Sequence, residues 1–134
     1  MVSLRFAVVL ALALAAGVPA SRAEVPSVTG RVTAAAPATL PANAELIVRV
    51  YDVSKMDAPA KLMGEQRQSV VSLPLEFQVF YDPAMILAPH TYAASARIEA
   101  GGRLLYISTR TYHVITRDHP TRVDLEVEPV ARRN

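Results

Sequence analysis

Cysteine and tryptophan are both absent from this chain, and its aromatic content is limited to five Tyr and three Phe. Each shortage closes a class of function. Without cysteine no disulfide staples the fold, no thiolate can serve as nucleophile or zinc ligand, and no acylated cysteine can hold the protein to a membrane. Charge of one sign is also lacking. The chain has 14 Lys and Arg against 12 Asp and Glu, and two of the cations, Arg5 and Arg22, lie in the first 23 residues. The remainder balances at 12 against 12, which argues against the concentrated positive field of a nucleic-acid binder. No G-x-S-x-G elbow is present to present a serine nucleophile.

What is present begins with an export pattern. Arg5 precedes an apolar run from Phe6 to Ala16, followed by Gly17, Pro19 and the small-residue site Ser21-Arg22-Ala23. The run is shorter than the ~20 residues that a bilayer-spanning helix needs. Residues 1–23 are therefore expected to be a secretory signal peptide cleaved after Ala23, with Ala20 as the alternative site. About 110 residues would remain, enough for one core and one domain over 24–134.

Beyond the leader the chain alternates. Glu45 to Tyr51 places Leu46, Val48 and Val50 on one face against Arg49 and Tyr51 on the other, then breaks at Asp52 into a polar loop containing Pro59. The same grammar recurs over 24–33, 61–69, 73–81, 90–100, 103–109 and 121–130, with strand character extending to Tyr112 and Val114. Gly101-Gly102 between two alternating runs is a hairpin signal. The polar run Glu65 to Gln68 suits an edge strand that discourages pairing. Residues 84–89, AMILAP, read as a crossover with one helical turn. Seven short strands and no amphipathic helix predict an all-β fold: an antiparallel β-sandwich of immunoglobulin- or transthyretin-like kind, with a small β-barrel as the alternative.

Candidate chemistry is sparse. His90, His113 and His119 lack ligand spacing and Asp52 and Asp57 lack the dense oxygen pattern of a calcium loop, so no metal or other cofactor is expected. Asp52 and Ser54 are expected to bond turn amides, and Asp82 to cap the turn before Pro83. Tyr51 and Phe80 fall on the polar phase of their strands, where they either cover a second side of the core or form a surface patch. The candidate partner-binding surface is therefore the 52–59 loop with its neighbours: Tyr51, Asp52, Ser54, Asp57, Pro59 and Phe80.

Several phrases resemble the YscW/YbaY-type family of bacterial envelope lipoproteins. They are Gly30-x-Val32, Leu40-Pro41-x-Asn43-Ala44, Val50-x-Asp52-Val53-Ser54-x-x-Asp57-Ala58-Pro59-Ala60, Pro74-Leu75-x-Phe77, Tyr92-x-x-x-Ala96-Arg97-Ile98 and Tyr112-x-Val114-x-Thr116. The resemblance implies a periplasmic β-sandwich with a chaperone- or pilotin-like role toward an envelope or secretion-system protein, and it offers no catalytic residues. Pilotin members travel on a lipidated cysteine, whereas this sequence has none, so the mature form is expected to be soluble and unlipidated. A module binding polysaccharide or a small ligand is the alternative, short of aromatic stacking platforms. Enzyme activity is not expected.

Overall fold

The computed structural model describes residues 24–131, so the expected signal peptide lies outside the described residues. Within them run eight strands: β1 (Ser27–Ala34), β2 (Glu45–Asp52), β3 (Lys61–Ser69), β4 (Leu75–Phe80), β5 (Tyr92–Ala100), β6 (Arg103–Ser108), β7 (Tyr112–Val114) and β8 (Leu125–Pro129). The seven expected runs are all there, and the continuation through Tyr112 and Val114 is a separate short strand. Residues Pro83–Met85 form one 3-10 turn, capped by Asp82 through Ala84 N–H at 2.9 Å.

All eight strands join one sheet in the order β3-β2-β5-β6-β8-β1-β4, with β7 paired to β5. Every ladder is antiparallel except β1 with β8. β5 is long enough to serve two partners along one side, β7 at Tyr92–Ala94 and β6 from Arg97 onward. The β5–β6 hairpin turns through Gly101 and Gly102 at φ 57° and 78°, a left-handed pair that glycine adopts without steric cost.

The alternation read from sequence defines the core. Leu46, Val48 and Val50 of β2 lie opposite Ile98, Ala96 and Ala94 of β5, and all six are buried. Phe77 and Val79, Val28 and Val32, and Leu125 and Val127 close the same interior from β4, β1 and β8. Each fully buried branched aliphatic side chain contributes about 1.5–3 kcal/mol. Outside, charges ladder across β2 and β3: Glu65 accepts from Arg49 at 2.6 Å and from Arg67 at 2.7 Å, and Arg67 reaches Glu45 at 2.8 Å.

The two ends of the sheet, β3 and β4, meet. Near one end of the contact the backbones press together: a Cβ on Gly64 would stand 2.4 Å from the Phe80 carbonyl oxygen. Further along, side chains bridge the gap. Gln68 Nε2 donates to Glu76 O at 2.8 Å, and Gln78 N–H donates to Gln66 Oε1 at 2.8 Å. The sheet thus curls almost shut around one core, the small barrel named as the alternative to a sandwich. The polar run of β3 does more than guard an edge: Glu65 and Arg67 build the outer ladder while Gln66 and Gln68 close the seam.

Candidate functional site

The strand-to-loop break at Asp52 opens a cleft of about 310 Å³, lined by Asp52, Lys55, Ala58, Pro59, Lys61, Met63, Met85, Leu87 and His90. One wall is the β2–β3 connection, and the other is the segment between β4 and β5. A register shift in the β2–β3 ladder shapes the floor. Val50 lies opposite Gly64 but Tyr51 lies opposite Leu62, so Met63 is an extra residue on β3. A bulge of this kind re-aims the side chain it inserts, and Met63 both packs against the core and lines the cleft. The shift also sets Lys61 opposite Asp52.

The two walls are stitched together beneath the opening. Val53 N–H donates to Thr91 O at 2.9 Å, and Thr91 N–H donates to Ser54 Oγ at 2.8 Å. Asp52 Oδ1 accepts from Ser54 N–H at 3.0 Å and from the Ser54 hydroxyl at 2.6 Å, and His90 Nδ1 stands 2.7 Å from Asp52 Oδ2. Desolvation alone would raise the Asp52 carboxyl. The bonds from the Ser54 hydroxyl, the His90 ring and the Ser54 amide outweigh it and hold the pKa down to about 2. An ionised carboxylate only accepts, so the facing His90 nitrogen carries the proton. His90 is held from behind as well, because Thr116 Oγ1 donates to its carbonyl at 2.5 Å. The fully buried Tyr92 hydroxyl accepts Leu87 N–H at 2.9 Å, which fixes the far wall.

The six residues expected as a binding surface separate here. Asp52 and Pro59 line the cleft, and Ser54 is the stitch beneath it. Asp57 is exposed at the tip of the same loop. Tyr51 and Phe80 do not line the cleft: Tyr51 is half-buried beside Leu62, and Phe80 is 54% exposed next to the seam. Lys55 and Ala58 belong to the expected 52–59 loop without having been singled out, and sequence reasoning missed Lys61, Met63, Met85, Leu87 and His90. The available signal was apolar residues in AMILAP lacking strand alternation, and Met85 and Leu87 are indeed 46% and 51% exposed. Among the described residues no three His, Asp or Glu side chains gather as a metal-binding group.

A near-closed all-β domain with a loop-borne cleft, half apolar and half polar, is the class that fold and site define. The chain belongs to the YscW family: residues 23–127 match the family described as type III secretion system lipoprotein chaperone (YscW). It is 30% identical over 109 residues to the uncharacterized lipoprotein YbaY of Escherichia coli (strain K12), a match covering 80% of this chain and 57% of YbaY. The chain therefore spans little more than half the length of that relative. A solved structure, an alternative pilotin from the type II secretion system of Vibrio cholerae, superposes with a TM-score of 0.76 at 37% identity, covering 81% of this chain and 100% of the pilotin. The descriptions of these relatives are thus of a lipoprotein chaperone, a lipoprotein and a pilotin.

Proposed function

We propose that this chain is a periplasmic binding module that holds a segment of an envelope or secretion-system protein in the cleft above Asp52, a chaperone-like role without catalysis. The observation that carries the reading is the cleft itself, where Met63, Met85, Leu87 and Pro59 offer apolar surface on walls pinned by hydrogen bonds. Pinned walls keep the ordering cost of binding low, and methionine side chains adapt to irregular partners. The proposal keeps Asp52, Ser54 and Pro59 as the loop's contribution, leaves Asp57 at the exposed tip outside the cleft, and adds Met85 and Leu87 from the opposite wall. A polysaccharide reading finds no support in the cleft, whose lining includes no Tyr or Phe. Export by residues 1–23 and a mature form without a lipid belong to the same proposal, since the sequence holds no cysteine to acylate.

The test is position-specific photocrosslinking in the host of origin. A photoreactive residue at Met85 or Leu87 is expected to trap an envelope protein that the same residue at Ile107, exposed on β6, does not. Trapping is expected to vanish with Leu87→Glu. Equal yields from all three positions, or none from any, would overturn the proposal.

A further inference from the structure

The cleft's charges point to the chemistry of what it holds. Three charged side chains line it: Asp52, Lys55 and Lys61. Asp52 is already committed. Its two oxygens accept from Ser54 and from the His90 ring, and neither is bonded to a lysine, so one carboxylate faces two ammonium groups and the lining keeps an excess of positive charge. Lys61 lies opposite Asp52 in the strand register, yet Asp52 pairs with His90 and no ion pair of Lys61 or Lys55 is formed among the described residues. The nearest further carboxylate on the same loop, Asp57, is at the exposed tip and does not line the cleft. On the outer face of β2, β3 and β5, Arg49, Arg67 and Arg97 each meet a glutamate, while Arg31 and Arg103, exposed on β1 and β6, form no ion pair among the described residues. What sets Lys55 and Lys61 apart is that they line a cleft with apolar surface.

Two ammonium groups without an ion pair among the described residues therefore accompany an apolar lining made by Met63 at the floor and Met85, Leu87, Ala58 and Pro59 on the walls. At about 310 Å³ the cleft sits at the small end of the ~300–1,000 Å³ typical of ligand pockets. That volume suits a few side chains of a peptide. Taking the cleft as the docking surface proposed above, we infer that its occupant is a peptide segment carrying apolar side chains flanked by aspartate or glutamate. The apolar residues enter between Met85 and Leu87 on one wall and Pro59 on the other. The acids meet Lys55 and Lys61 at the rim, where such pairs set preference and association rate.

The probes are fluorescent twelve-residue peptides with two central leucines, flanked by aspartates, lysines or serines, titrated by anisotropy against the purified protein. The aspartate-flanked peptide is expected to bind about tenfold more tightly than the serine-flanked one at low salt. The advantage should shrink as salt screens the rim. In Lys55→Glu/Lys61→Glu, two exposed positions, the order is expected to reverse in favour of the lysine-flanked peptide. That reversal cannot arise from misfolding. Binding that depends on Leu87 but ignores the flanks would overturn the acidic preference and leave the docking reading standing. An unchanged order in the double variant would do the same. Failure of every peptide to bind, beside productive crosslinks from Met85 and Leu87, would also refute this inference alone. Failure of both would remove the docking reading with it.

Discussion

Asp52 is where one residue's chemistry reaches furthest. Its carboxyl titrates near 2 in the fold against 3.8 when unperturbed, so it stabilises the native state fully above about pH 4 and loses that contribution as pH falls toward 2. Asp52→Asn is expected to lower stability at neutral pH by about 1–2 kcal/mol, the shift being discounted for solvent screening. Its urea midpoint should then vary less than the parent's between pH 4 and 2. An equal acid dependence in the two proteins would contradict the assignment. A second residue-scale outcome concerns Gly64, whose missing Cβ leaves room for the Phe80 carbonyl. Gly64→Ala forces two backbones apart and is expected to cost about 1–3 kcal/mol in denaturant unfolding.

Among the elements, β3 carries the most varied duties. Glu65→Gln removes an acceptor shared by Arg49 and Arg67, whose bonds hold the Glu65 pKa below its ordinary value. Because the ladder is partly exposed, the expected cost is about 0.5–1 kcal/mol, and it should fade in 1 M salt. Strands were legible in the sequence wherever one face is buried, since a period of two then marks Leu46, Val48 and Val50 or Leu75, Phe77 and Val79 directly. What escaped depended on partners distant in sequence. The pairing of β7 beside β6 follows from the length of β5, and the position of Lys61 opposite Asp52 follows from the Met63 bulge, which no local residue announces. Phrases such as Asp52-Val53-Ser54 gave away the loop and its turn bonds. They could not reveal Met85 and Leu87 as the facing wall, because that juxtaposition is made by the curl of the sheet.

For the molecule as a whole, the join between β3 and β4, the two end strands of the sheet order, is chemically unlike the other joins. Each interior pair of strands is held by a main-chain ladder, whereas Gln66 and Gln68 reach across to Gln78 N–H and Glu76 O. Side-chain amides on an exposed strand end are worth about 0.5–1.5 kcal/mol each. The cylinder can therefore part along this line without breaking a ladder or exposing the whole core. Exchange of amide protons with deuterated solvent would register the event: the Gln78 proton should exchange well before those of β2 and β5, and earlier still in Gln66→Ala. Such a molecule has a zip rather than a wall at one longitude, and thermal motion should work it open and shut many times for every occasion on which the chain unfolds.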